Sequence, residues 1–130
     1  MKHSVFSCLL TLSLNLFVTA TPALTHHSIS AKFDPGQSVS FTGRVAKVDW
    51  LNPHVHLFID VQEGLNQVNW AVELESPTLL EMSGWNRESI APGVELVVDG
   101  YAARDGSFQA WGVSVVNAST GRAVLVFDED

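Results

Sequence analysis

The sequence predicts an all-β protein with one short helix. The strongest signal is the stretch from His54 to Val61, where branched apolar residues alternate strictly with other residue types, as in a strand with one buried face. Alternating runs also lie on either side of this stretch, and two more follow a helix start at Ser76-Pro77. Three strands, a helix, two strands and a terminal extension are the order of a small OB-like β-barrel with five to six strands. A β-sandwich is the alternative, and a helix between the third and fourth strands fits the barrel better.

The first strand is expected to bend. Its apolar residues hold odd positions up to Val45 and even positions from Val48 onward. Such a change of phase within one strand indicates a bulge or sharp bend near Ala46. Asn52-Pro53 follows, and proline has no N–H to give to a sheet. We therefore expect the pairing to break there and a second strand to start after it.

A hairpin turn at Glu63-Gly64-Leu65-Asn66 sets the register of the second and third strands. With Gly64-Leu65 at the turn, residues whose numbers sum to 129 lie opposite each other. This register places His56 opposite Glu73 and His54 opposite Glu75. The same register places apolar residues of the second strand opposite apolar residues of the third. The predicted interior contains Val55, Leu57, Ile59, Val68, Trp70 and Val72.

Turn residues divide the rest of the chain. Gly84 is expected to end the helix, and Pro92-Gly93 leads into the fourth strand. Asp105-Gly106 is a hairpin turn before the fifth strand. Residues 26–37 should form an N-terminal arm, and residues 26–130 should be one domain.

The N-terminus has the features of a secretory signal peptide. An uncharged apolar run follows Lys2, and small residues follow the run, so residues 1–25 are the predicted signal, with cleavage between about residues 20 and 25. The protein is expected in the periplasm or outside the cell, with no stable membrane anchor after processing; a retained anchor is the alternative. The only cysteine, Cys8, lies in the signal, so the mature chain is predicted to have no disulfide and no thiolate site.

Charge and motifs argue against several functions. Residues 26–130 hold six basic and fourteen acidic residues, hence a net charge of −8 with histidine neutral. Such a surface repels phosphate backbones, so nucleic acid is not expected as a partner, whereas cations and basic partners are. The chain has no Gly-x-Ser-x-Gly motif and no phosphate-binding glycine loop, so no catalytic residue is predicted and the protein is not expected to be an enzyme. Trp85, Tyr101 and Trp111 are expected to pack at the rim of the small barrel. An exposed aromatic stacking platform is the alternative.

The outer face of the second and third strands carries a candidate metal site. His54 and His56 share this face, about 7 Å apart, with Glu75 and Glu73 opposite them. Two imidazoles beside two carboxylates can bind zinc or copper. The alternative is structural: ion pairs across the strands, with His54 bonded to the backbone where Asn52-Pro53 interrupts the ladder.

His26 and His27, near the mature N-terminus, are a second metal candidate and could complete the first. A free amine followed closely by histidine suits copper(II), and a disordered arm is the alternative.

The sequence therefore predicts a binding module for a metal ion or small ligand on the strand face. The other hypothesis is a domain that binds a periplasmic protein and uses its histidines structurally.

Several short motifs resemble those of a known family. They are His26-His27-Ser28, Phe33-Asp34, Thr42-Gly43-Arg44-Val45, Trp50-x-Asn52-Pro53-His54, Ser76-Pro77, Gly84-Trp85 and Pro92-Gly93. In these motifs the chain resembles domain-of-unknown-function family 6152, a family of small secreted bacterial proteins, over nearly the whole mature chain. The resemblance implies secretion and a β-barrel-like domain. It implies no reaction, because the family has no established activity, and His56 stands where the family usually has an aromatic residue.

Overall fold

A computed structural model describes residues 26–125, so the predicted signal peptide and residues 126–130 lie outside the described part. The described residues form mostly strands. In chain order the elements are α1 (His26–Lys32), β1 (Phe33–Asp49), β2 (His56–Glu63), β3 (Asn66–Glu73), α2 (Pro77–Met82), β4 (Glu95–Ala103), β5 (Gln109–Asn117) and β6 (Ala123–Leu125). No helix in this part of the chain is long and apolar enough to cross a membrane.

Five of the strands close into a ring. Strand β1 pairs antiparallel with both β2 and β4, β2 pairs with β3, and β4 pairs with β5. A short parallel contact between β3 and β5 completes the ring, and β6 pairs with β5 further along the strand, at residues 114–116. The all-β prediction is confirmed, and helix α2 lies between the third and fourth strands as an OB-like order requires.

The first strand bends where the sequence changes phase. Its pairing with β2 is regular up to Val45 and shifts before Lys47, so Ala46 is the extra residue of a bulge. The main chain of Val45 is held by the turn before β4: its N–H donates to Val94 and its carbonyl accepts from Gly93, both at 2.8 Å. The bulge lets one long strand pair with β2 at one end and with β4 at the other.

The hairpin register is confirmed along its whole length. The ladder runs from His56 opposite Glu73 to Glu63 opposite Asn66. Val55, Leu57, Ile59 and Val72 are fully buried, as predicted. Val68 and Trp70 were also predicted inside, but they are only partly buried. The reason is that β5 pairs with β3 only from Ala71 to Glu73, so the ring leaves the earlier part of β3 uncovered on that side.

Helix α2 closes one end of the apolar core. Ser76 caps it by accepting a hydrogen bond from the N–H of Leu79 at 3.3 Å, and Pro77 is its first residue. Leu80 on the helix and Trp85 just after it are both 2% exposed. The indole of Trp85 donates to the carbonyl of Ala123 at 3.1 Å, so this residue packs and is not part of an exposed platform.

The segment expected to be an N-terminal arm forms a short helix and the start of β1. Residues 26–32 form α1, and β1 already starts at Phe33, with irregular pairing between Phe33 and Ser38. Phe33 is buried against Ala103 and Trp111 in a second, smaller apolar cluster. Arg104 fixes the junction, since its main-chain N–H donates to Lys32 O and its side chain to Ser30 O. These tertiary contacts were not visible in the local sequence pattern.

Candidate functional site

The candidate site begins where β2 begins. The chain leaves β1 at Asp49, turns through Asn52-Pro53, whose peptide bond is cis, and enters β2 at His56. Just before β2 the ladder becomes irregular, because Val55 accepts a hydrogen bond from Leu74 N and donates one to Glu75 O. His54 therefore lies outside the regular ladder.

Both histidines converge on a single carboxylate. His54 Nδ1 lies 2.7 Å from Oε1 of Glu73. His56 Nε2 lies 3.5 Å from Oε2 of the same group. The pairing of His56 with Glu73 was predicted, whereas the predicted partner of His54 was Glu75. That expectation was wrong because the irregular ladder at Val55 lets the His54 side chain reach the preceding outward residue of β3.

A lysine completes this cluster of charged groups. Lys32, the last residue of α1, places its Nζ 2.9 Å from Oε2 of Glu73. The four side chains of Lys32, His54, His56 and Glu73 are called the Glu73 cluster below. Local sequence patterns did not indicate that Lys32 joins the site, because its position depends on helix α1, which was expected to be part of an arm.

The cluster is anchored against apolar groups on one side. The side chains of Glu73 and His54 are 14% and 17% exposed, whereas His56 and Lys32 reach further into solvent. The His54 ring packs edge-on against Trp111, with centroids 5.2 Å apart. Trp111 in turn packs against Phe33 at 6.3 Å, so it is rim packing that orients His54. This supports the packing interpretation of Trp111.

Electrostatics keep Glu73 ionised. Burial raises the pKa of Glu73, but hydrogen bonds from Lys32 and His54 and the positive charges of Lys32 and His56 outweigh this effect. The pKa of Glu73 consequently lies below its ordinary value. At neutral pH the group is a carboxylate, which is the form that accepts from a cation or binds a metal ion.

The other predicted ligands do not join this cluster. In residues 29–123, Glu75 makes no hydrogen bond or ion pair with either histidine. His26 and His27 start helix α1, but their side chains lie outside the described ones. As the described side chains stand, no group of three or more His, Cys, Asp or Glu residues is placed to hold a metal ion.

The Glu73 cluster lies at the end of the β2–β3 hairpin that is opposite the turn. It lies at the ends of β2 and β3, the strands that form the ligand face of OB-like barrels.

A search of the curated proteins gave no match. The family of unknown function DUF6152 matches residues 14–113, more than three quarters of the chain, including both histidines and Glu73. The chain therefore belongs to the family of unknown function DUF6152.

Proposed function

We propose that this protein is an exported binding module whose ligand is a divalent transition-metal ion, copper or zinc, held by His54, His56 and Glu73. The observation that carries the proposal is the convergence of two imidazoles on one carboxylate, at 2.7 and 3.5 Å. Imidazole and carboxylate are ligands that both metals accept. The acidic charge of residues 26–130 raises the local concentration of cations.

The arrangement of His54, His56 and Glu73 has to open before it holds a metal. Around a tetrahedral ion with bonds of about 2.0–2.1 Å, two ligand atoms lie roughly 3.3 Å apart. His54 Nδ1 and Glu73 Oε1 are at hydrogen-bond distance instead, 2.7 Å. Lys32 also occupies Oε2 of Glu73. Binding therefore requires a small separation of His54 from Glu73, and a metal that also uses Oε2 requires the departure of the lysine ammonium. Glu75, His26 and His27 are the candidates for remaining ligand positions.

Titration calorimetry with zinc and copper(II) tests this proposal. The wild-type mature chain should bind at micromolar concentration or tighter, and His54→Ala with His56→Ala should lose roughly tenfold or more of the affinity. His26→Ala with His27→Ala is the matched pair, because it also removes two imidazoles. If the arm pair abolishes copper binding and the strand pair does not, the metal belongs to the N-terminus. No binding by the wild type would remove the metal proposal.

A second candidate is a protein-interaction domain with structural histidines. It is favoured by one observation: both oxygens of Glu73 already have close partners, His54 on Oε1 and Lys32 on Oε2. In that case His54→Ala should lower the unfolding temperature, and neither zinc nor copper should change the unfolding temperature of the wild type. Under the metal proposal the wild type is stabilised by the bound ion and the variant is not.

We also propose that residues 1–25 export the protein to the periplasm or beyond the cell. Support comes from the basic start, the short uncharged apolar run and the small residues that follow it. Mass spectrometry of the fractionated cell tests this, and the mature chain should begin between Thr21 and His26. An intact chain with Met1 in the membrane fraction would contradict export as a processed protein.

A further inference from the structure

The ring is incomplete along one edge of β3. Strand β5 pairs with β3 only at Ala71, Val72 and Glu73. Residues 66–70 of β3 pair with β2 on one side and, among the described residues, with no strand on the other. An open strand edge of this kind presents main-chain donors and acceptors to any extended chain that approaches it.

The direction of the free groups follows from two hydrogen bonds. Ala71 N donates to Phe108 O at 2.9 Å, on the β5 side, and Leu74 N donates to Val55 O at 2.8 Å, on the β2 side. Main-chain groups alternate sides along a strand, so those of Asn69 and Gln67 point the same way as those of Ala71. Within residues 26–125 neither N–H has a hydrogen-bond partner on that side. Both residues are exposed.

A cluster of aromatic side chains lies beside this edge. Trp70 stacks on Phe41, with centroids 4.6 Å apart, and meets Phe108 edge-on at 5.4 Å. Phe108 is half exposed, and Trp70 is only partly buried. The indole N–H of Trp70 is buried and has no acceptor among the described residues, which is uncommon in folded proteins. The aromatic group therefore presents apolar surface beside the edge, from Phe108 and from the exposed part of Trp70.

Acidic residues outnumber basic ones around the edge, and the basic residue opposite Asp60 on β1 is Arg44. No lysine or arginine occurs between Lys47 and Arg87 or between Arg104 and Arg122. The acids near the edge include Asp60 opposite Asn69, Glu63 opposite Asn66, and Asp105 in the turn before β5. Proteins usually protect an open edge with lysine, proline or a bulge, and β3 has none of these between Asn66 and Trp70.

We propose that the open edge of β3, residues 66–70, takes up an extended, basic segment of a partner protein as an added strand. The added strand would hydrogen-bond to the main chain of Gln67 and Asn69 and place an apolar side chain over Trp70 and Phe108. Its lysine or arginine residues would be attracted by the excess of negative charge on this part of the surface, where Glu63 and Asp105 are exposed. A second copy of this chain is a poorer occupant, because both edges would carry the same negative charge. The proposal does not depend on metal binding at the Glu73 cluster.

A synthetic peptide tests the edge directly. The probe is a peptide of about ten residues with alternating valine and threonine and two lysines at each end. It should bind the mature protein and slow amide hydrogen exchange at Gln67 and Asn69, measured by NMR. A version with glutamate in place of lysine should bind roughly tenfold more weakly or worse. A version N-methylated at alternate residues should lose binding, since it lacks the main-chain donors.

Two matched protein variants locate the site. Gln67→Lys with Asn69→Lys should weaken binding of the basic peptide, because it adds positive charge at the open edge. The control is Ser38→Lys with Ser40→Lys. It adds the same charge at exposed positions of β1 and should leave peptide binding unchanged. Equal binding by both variants, unchanged amide exchange, or equal binding of the N-methylated peptide would overturn the proposal. Protection of Gln67 and Asn69 that grows with protein concentration alone would assign the edge to a second copy and also overturn it. If the edge variant does not fold, the N-methylated peptide decides the same question on the wild type.

Discussion

Lys32 Nζ lies 2.9 Å from Oε2 of Glu73, so the last residue of helix α1 forms an ion pair with the last residue of strand β3. This contact joins the N-terminal helix to the closed part of the ring. The lysine is 45% exposed and the glutamate 14%, so the carboxylate is the more enclosed partner. Removing the carboxylate therefore affects more than one neighbour, because His54 depends on it as well.

Replacement of Glu73 by glutamine should destabilise the fold by about 1–3 kcal/mol at neutral pH, since it weakens charge-assisted hydrogen bonds from Lys32 and His54. Urea unfolding in the presence of a chelator measures this. Glu63→Gln is the matched control, because Glu63 is exposed at the hairpin end of β2, and its cost should stay within about 0.5 kcal/mol. Equal costs for the two variants would mean that the cluster adds no stability.

The same comparison has a defined pH dependence. The pKa of Glu73 lies below its ordinary value of 4.5. A carboxyl group whose pKa is lower in the folded than in the unfolded chain stabilises the fold above its unfolded pKa, and this contribution is lost as the pH falls through its folded pKa. The stability difference between wild type and Glu73→Gln should therefore be present at neutral pH and shrink below about pH 4.5. A difference that grows in acid would contradict the lowered pKa.

Truncation in the core should be costly. Ile59→Ala removes a fully buried side chain of β2 and should cost about 2–5 kcal/mol. Leu65→Ala deletes a similar volume at the fully exposed hairpin tip and should change stability by about 0.5 kcal/mol or less. Asp60→Ala, on the outer face of β2, should also cost little. Chemical denaturation of the three variants gives the comparison, and a small loss for Ile59→Ala would be inconsistent with the buried position.

Gly100 should not tolerate a side chain. A Cβ on this residue would lie far inside van der Waals contact of the Trp111 carbonyl oxygen, where β4 and β5 approach next to a register shift. Gly100→Ala should cost about 1–3 kcal/mol. In Gly36→Ala the nearest atom is Asp34 Oδ1 at 3.3 Å, at the end of a side chain that can move, so thermal unfolding should barely change. Because Trp111 packs on His54, the Gly100 variant should also perturb the His54 NMR signals.

The β2–β3 hairpin could be predicted because local features determine it. Alternation assigned the two faces, the Gly64-Leu65 turn assigned the register, and the phase change at Ala46 located the bulge. The partner of His54 could not be derived in this way. It depends on how the ladder ends at Val55, where two main-chain hydrogen bonds replace the regular pattern.

Helix α1 and Lys32 were missed for a different reason. Seven residues without acidic N-terminal side chains give a weak helix signal, and short helices are held mainly by tertiary contacts. Here those contacts come from Arg104, Glu73 and the cluster around Phe33, all distant in the sequence. The partial exposure of Trp70 was missed similarly, since alternation predicts which face a residue is on but not where β5 stops covering it.

The role of Lys32 provides the sharpest test of the proposed metal site. Its ammonium occupies Oε2 of Glu73 at 2.9 Å and competes with any cation for that oxygen. Lys32→Met keeps most of the side-chain volume and removes the competing charge, so zinc or copper affinity measured by calorimetry should rise by roughly tenfold.

Lys47→Met is the matched control, because Lys47 pairs with Asp49 and is not an ion-pair partner of Glu73. General electrostatics would raise affinity slightly in both variants, whereas competition raises it mainly in the first. If Lys32→Met instead weakens binding, α1 helps to form the metal site. Equal affinities in the two variants would mean that the metal does not use the oxygen held by Lys32.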